Sequence, residues 1–198
     1  MTVYRLSQRV FRLLFRLYFR WEVLGTEHLT RIGGGLLVCN HTSFLDPPLA
    51  GTPWPRPIHY LAREDLFDIP LLAWWMRACQ TIPTRRGPGS LYSLRQVVHT
   101  IKAGGIVLAF PEGTRSPTGA LQDPRGGVGW IIKMTGAPVY PCYIRGAFEA
   151  WPRRAWFPRP RKIRVIYGPP VRLPGDLEPQ ALSRRALALV DGLGRSVA

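Results

Sequence analysis

Two short stretches of this chain, each led by glycines, are apolar at every position. Leu36 to Cys39 in "GGGLLVC" is one, and Ile106 to Phe110 in "GIVLAF" is the other. A strand with one wet face alternates apolar and polar residues, so short runs with no polar position belong to strands covered on both sides. Helices supply such covers. The two runs therefore restrict the chain to an α/β architecture whose sheet is at least partly parallel.

The rest of the chain fits that restriction. Short strands are expected at Trp21 to Leu24, in "IHYLA" from Ile58, in "PVYPCYI" and in "KIRVIYG". Asp68 and Pro70 can start a helix through "LLAWWMRAC", whose apolar residues are expected in the core, and "QTIPTRRG" reads as an extended piece ending in Arg85 and Arg86. A further helix carries Leu91, Leu94, Val98 and Ile101 on one face and stops at Gly104 and Gly105. Helices over 127–135 and from Pro179 to Leu193 follow, the last with a stripe of Leu182, Ala186, Leu189 and Val190. At 198 residues without a linker, the expectation is one α/β domain. Its sheet is mixed and largely parallel, flanked by helices and preceded by an N-terminal amphipathic helix. This divides the chain into residues 1–22 and a single domain over 23–198.

The N-terminal segment is different in kind. Arg5, Arg9, Arg12, Arg16 and Arg20 recur every three or four positions and share one face of a helix. Leu6, Val10, Leu13, Leu14, Leu17 and Trp21 fall largely on the other face, and no acid occurs from Thr2 to Trp21. Such a helix suits a membrane interface, its arginines at anionic headgroups and its apolar side among acyl chains. The plainer reading is a helix packed on the protein's own core with a solvated arginine face. No stretch reaches about 18 uncharged apolar residues, so no bilayer span is expected, and the N-terminus lacks a signal peptide's unbroken apolar core.

Both apolar runs open onto polar turns. "NHTSFLD" at 40–46 follows the first and "FPEGTRS" at 110–116 follows the second. A histidine and an aspartate five residues apart are weak on their own, since Asp46 could be only a helix N-cap before Pro47. The pair of motifs in this order carries more. Together they resemble the glycerolipid acyltransferase family, whose first block is Asn-His-x-Ser-x-x-Asp and whose third is Phe-Pro-Glu-Gly-Thr-Arg-Ser. "IPTRR" is similar to the looser intermediate block, with Arg86 in the arginine position and Arg85 as a rival, and "VYPCYI" to the fourth.

The resemblance implies acyl transfer from a thioester to an alcohol, and the residues suit that chemistry. His41 can take the proton of the attacking hydroxyl, while Asp46 orients the imidazole and caps the helix that follows. The nucleophile is then the substrate's own hydroxyl. Cys39 is rejected as a nucleophile because it belongs to the apolar strand. Arg115 suits a bidentate grip on a phosphate, Gly113 and Thr114 let donors approach closely, and Glu112 is expected to fix Arg115 or to meet an acceptor hydroxyl. By the resemblance, this loop and Arg86 bind the glycerol phosphate acceptor. Asn40 and Ser43 are expected to shape the His41 loop, and His28, His59 and His99 to be structural.

The 27 basic residues against 12 acidic ones favour polyanionic partners. From Arg145 to Arg172 eight basic residues face Glu149 alone, with Trp151, Trp156 and Phe157 interleaved. That pattern suits a membrane interface or the phosphates of a donor, and equally single-stranded nucleic acid. Cys39, Cys79 and Cys142 lack metal-type spacing, so no metal and no disulfide is expected and a reducing compartment is. The resulting expectation is a peripheral or monotopic enzyme on the cytoplasmic face of a membrane. It takes acyl-CoA or acyl-ACP (acyl carrier protein) as co-substrate, needs no cofactor and binds no nucleic acid. Its acceptor is a lysophospholipid, first of all 1-acyl-sn-glycerol-3-phosphate. The alternatives are the same chemistry on another acceptor, such as a lyso-ornithine lipid, or a non-catalytic basic module that binds membranes or nucleic acid.

Overall fold

The computed structural model describes residues 2–84 and 90–196. At its centre lies β2 (Gly35–Cys39), where Leu37 and Cys39 point to one face and Leu36 and Val38 to the other, none more than 1% exposed. Parallel neighbours flank it, β5 (Ile106–Ala109) on one side and β6 (Val139–Arg145) on the other. The sheet continues through β7 (Arg164–Tyr167), antiparallel to β6, to β1 (Glu22–Leu24), parallel to β7. The order β1-β7-β6-β2-β5 is thus mixed and largely parallel, as the apolar runs demand. A small parallel pair, β3 (Tyr60–Arg63) and β4 (Thr81–Thr84), is tied to the far edge by His59, which bonds Ile106 O and Leu108 N through its backbone.

Helices cover both faces. On one side α1 (Thr2–Phe19) and α2 (Asp46–Gly51) bring Phe15, Phe19, Leu49 and Ala50 against Leu37, Leu108 and Ile144. On the other, α4 (Ser90–Lys102), α5 (Gly126–Thr135) and α7 (Pro179–Ser196) bring Val97, Ile131 and Leu182 against Val38 and Val107. Among the described residues no helix is long and apolar enough to cross a membrane.

Several faces differ from the sequence pattern. In α4 the residues that enter the core are Val97 and Ile101, while Leu91 is exposed and Val98 half-buried. The helix meets the sheet along Ser93, Val97 and Ile101, a strict i, i+4 row, and Ser93 Oγ donates to Pro83 O. In α3 (Pro70–Ala78) only Ala73 and Met76 are buried, and Leu71 and Trp74 lie in solvent beside the exposed Ile69.

The first helix has three faces where the pattern shows two. Tyr4, Phe11, Phe15 and Phe19 form an aromatic strip that packs on the core or half-buries against it. Its polar neighbours fasten it: Gln8 donates to the carbonyls of Gly51, Thr52 and Trp54, Ser7 accepts from Trp75 Nε1, and Tyr4 Oη accepts from Ile58 N. The arginines and the Leu6, Val10, Leu13, Leu14, Leu17 ridge occupy the two remaining faces, both exposed. Trp21 lies beyond the helix, past Arg20 in a left-handed conformation, and packs edge-on against Phe15.

The tightest helix pair is α5 on α7. Gly129 N donates to Ser183 Oγ, which in turn donates to Arg125 O, and a Cβ at Gly129 would collide with the Pro179 carbonyl oxygen. Gly129→Ala is therefore expected to cost about 1–3 kcal/mol of stability through forced separation of the two helices. Denaturant unfolding of wild type and variant reads this, and an unchanged midpoint contradicts such a close approach.

Candidate active site

Because β2 and β5 are parallel and paired in register up to Val38 and Ala109, the chain leaves both at the same edge of the sheet. Sites in α/β sheets are built at that edge, outside the carboxyl ends of the strands. Here it brings "NHTSFLD" and "FPEGTRS" side by side. Asn40 starts the first loop by extending the ladder with its side chain: Nδ2 donates to Ile144 O at 2.9 Å and Oδ1 accepts from Ile144 N at 2.7 Å. One amide thus does for β6 what a further residue of β2 would have done.

Six residues then fold into a closed unit. Asp46 is wholly buried, and its Oδ2 accepts three N–H bonds, from Thr42 N at 2.6 Å, Ser43 N at 2.7 Å and His41 Nδ1 at 2.9 Å. A buried carboxylate needs such donors, since each charge-assisted bond is worth about 1.5–3 kcal/mol and an unpaired charge is expensive. Asp46 departs from the expected cap. It is the first residue of α2, makes no forward bond to the helix amides, and turns its carboxylate back onto the loop, leaving Oδ1 buried without a partner among the described residues. Ser43 closes the loop's outer side, its Oγ donating to Trp151 O and accepting from Leu45 N.

The second loop holds His41 by its backbone. Glu112, 2% exposed, accepts His41 N at 2.7 Å through Oε1 and Gln122 N at 3.0 Å through Oε2, and Ser116 N donates to His41 O at 2.7 Å. Burial pushes the Glu112 carboxyl up from its usual range, against the opposing pull of these N–H groups. The sequence reading sends Glu112 toward Arg115 or an acceptor hydroxyl, but the structure turns both oxygens inward to brace the loops. Phe110 stacks on the His41 ring, centroids 3.9 Å apart and planes at 16°.

The rim is basic and aromatic. Arg115 lies over the Phe44 ring at 3.4 Å, with Nη1 buried and without an acceptor among the described residues. Burial, and after it the positive charge of Arg153, lowers the Arg115 pKa, and Asp46 pulls the other way. Gly113 has φ +67°, and a Cβ there would press on the Arg125 side chain. The Thr114 carbonyl accepts from Gln122 Nε2 at 3.2 Å. Arg86, and its rival Arg85, lie outside the described residues. Cys39 sits inside β2, in register with Cys142, and burial pushes its thiol well above its ordinary pKa. No three of His, Cys, Asp and Glu gather as metal ligands would among the described residues.

Four contributors escape motif reading. Phe44 and Phe110 belong to the two motifs yet do their work by ring contact. Gln122 and Arg153 sit in segments with no motif, and only the folded chain carries them to the site.

Comparison with known proteins identifies the family. The acyltransferase family model matches residues 20–145. A 1-acyl-sn-glycerol-3-phosphate acyltransferase of Pseudomonas aeruginosa is 30% identical over 179 residues, 86% of this chain and 67% of the relative. A chloroplastic enzyme of the same description from Brassica napus is 30% identical over 138 residues, of which this chain spans 40% of the relative's length. The crystal structure of the 1-acyl-sn-glycerophosphate acyltransferase PlsC from Thermotoga maritima superposes with a TM-score of 0.80 at 26% identity, covering 100% of this chain and 79% of that one. A non-catalytic basic module is thereby set aside, and the chain belongs to the acyltransferase family of enzymes.

Proposed function

We propose that the chain esterifies the free hydroxyl of 1-acyl-sn-glycerol-3-phosphate with a fatty acyl group from acyl-CoA or acyl-ACP, with His41 as general base. The observation that carries this reading is the three-donor grip of Asp46 Oδ2, in which the carboxylate accepts and His41 Nδ1 must therefore hold a proton. The lone pair then resides on Nε2, on a side chain 17% exposed. Nε2 takes the hydroxyl proton as the oxygen attacks the thioester carbonyl. The tetrahedral intermediate expels the thiolate, which recovers that proton from the imidazolium and leaves as a thiol. Asp46 and the face of Phe110 both favour the transient positive ring.

Arg115 binds the acceptor phosphate. Its orphaned Nη1 and its neighbour Arg153 make the rim electropositive, and the guanidinium fork suits phosphate oxygens. The relatives named above share the acceptor in their descriptions, which supports the choice of lysophosphatidic acid. Both substrates are amphiphiles, so the enzyme works peripherally at an anionic membrane surface. The exposed ridge of α1 between Leu6 and Leu17 enters the interface, its arginine face at the headgroups.

His41→Ala should lower acyl transfer on the order of a hundred- to ten-thousand-fold, with a lowered Tm because the buried Asp46 loses one of its three donors, and Asp46→Asn should also slow it. Purified protein with both donor types reads this, and a fully active His41→Ala removes His41 as base. Arg115→Ala should raise KM for the phosphate acceptor roughly 10- to 100-fold, Arg115→Lys should fall between, and a phosphate-free acceptor should be indifferent to either. Equal losses on both acceptors contradict phosphate binding by Arg115. At 59% and 76% exposed, Leu13 and Leu17 hold no core contact of consequence. The pair Leu13→Ser and Leu17→Ser should accordingly weaken sedimentation with anionic vesicles and leave Tm unchanged, whereas undiminished sedimentation speaks against insertion of this ridge.

A further inference from the structure

Between β6 and β7 the chain makes a loop, "WPRRAWFPRPRK" over 151–162, of which the proposed reaction uses Arg153 alone. Its tip is Trp156, 90% exposed, and Phe157, 79% exposed, the first of them the most exposed large apolar side chain among the described residues. Water is a poor environment for two adjacent aromatics, and a chain that gains nothing from them there would bury or replace them.

The tip is exposed although its base is fixed. Arg159 N donates to Ala150 O at 2.7 Å and closes the loop, while Trp151 Nε1 donates to Ala155 O at 2.9 Å. One side is tied to the candidate active site: Trp151 O accepts from Ser43 Oγ, and the Trp151 ring meets Phe44, the ring that carries Arg115. The other side is tied to the end of α1, where Tyr18 Oη donates to Pro158 O at 2.9 Å and Ile163 N donates to Phe19 O. The exposed Leu17 of the α1 ridge lies one residue from that attachment.

The charge around the tip is of one sign. Arg153, Arg154, Arg159, Arg161 and Lys162 flank the aromatics, and no acid interrupts residues 151–162. At the foot of the loop a cavity of about 370 Å³ is lined by Arg145, Arg161, Lys162 and Arg164, with Glu149 and Gly146. Arg145 and Arg164 stand directly opposite each other across the β6–β7 ladder, and Glu22 holds both Arg164, at 2.8 Å, and Lys162 in ion pairs. Aromatic rings at the tip with Arg153, Arg154, Arg159 and Arg161 behind them match the layers of an anionic leaflet, from acyl boundary to headgroup phosphate.

We propose that the Trp156–Phe157 tip is a second membrane-insertion point, beside the end of α1, with an anionic lipid surface as its partner. A contact on a second element beside the end of α1 restricts rotation of the domain about that helix, which a single helix in the interface leaves free. With the tip anchored beside Phe44 and Arg115, the entrance to the site faces the leaflet. The inference rests on the lipid-substrate reading only for that last consequence, and binding to vesicles reads the tip without any turnover.

The test uses the full chain and vesicles of phosphatidylcholine with or without phosphatidylglycerol. Trp156→Ala with Phe157→Ala should weaken binding to the mixed vesicles on the order of tenfold or more, keep the wild-type Tm, and retain the wild-type rate on a short-chain acceptor dissolved in water. The rate on long-chain acceptor embedded in vesicles should fall. Because Cys39, Cys79 and Cys142 are all buried, Phe157→Cys can also carry an environment-sensitive fluorophore, whose emission should shift to the blue on the mixed vesicles. Undiminished vesicle binding, or an unshifted emission, overturns the proposal. So does a double variant that keeps its vesicle binding and loses retention of a single-stranded oligonucleotide. Absence of acyl transfer by the wild type on every acceptor, with the vesicle results as expected, sinks the proposed reaction and leaves the insertion point standing.

Discussion

The backbone of His41 is gripped from both sides by the loop that follows β5, and the geometry of the site depends on that grip. Its N–H goes to Glu112 and its carbonyl receives Ser116 N, so the residue is positioned before its ring makes any contact. Both bonds cross between loops. They exist because β2 and β5 are parallel neighbours whose ends are level, a consequence of two apolar runs that can be stable only with helices on both faces. Burial of Glu112 makes the brace stiff: a carboxylate 2% exposed has no water to exchange for Gln122 and His41. The ring is then aligned by Asp46 and Phe110, the first through a hydrogen bond and the second through a stacked face.

Legibility in the sequence followed the range of the interactions. Strands β2 and β5 were readable because complete burial leaves no polar position, and the loops because their residue types are rare in that order. Which face of a helix meets the core was readable where one stripe dominates, as in α7, whose Leu182, Ala186 and Val190 are all buried. It was misread in α4, where Leu91 and Val98 are as apolar as Val97 and only the docking angle chooses between them. Glu112 was misread for another reason. Its partners Gln122 and the His41 amide carry no signature, so an acid beside an arginine looked like an ion pair. Asp46 was legible as a partner of His41 and illegible as a backward-turned carboxylate, because the same Asp-Pro-Pro can cap forward.

The first helix shows how two readings of one pattern can both describe the same segment. A two-faced model offers a choice between packing on the core and lying in a membrane. The observed helix divides its circumference three ways, and its aromatic strip rather than its aliphatic ridge was taken by the core. Phe and Tyr offer broad rings that fill the space above β2 and β6, while Leu6, Val10 and Leu17 stay outside. Gln8 and Ser7, unremarkable in the sequence, are the polar fasteners that set which strip faces inward.

The imidazole and its carboxylate are closed within one six-residue segment, while the guanidinium at the rim comes from the other loop and its charged neighbour Arg153 from a third. Substitutions on the Arg153 side of the rim therefore need not pass through the segment that holds His41, the proposed base. On the proposed reaction, a lineage built on this plan is free to drift in the headgroup it accepts while its base stays unchanged, and divergence should accumulate around Arg153 and the 151–162 loop before it reaches His41.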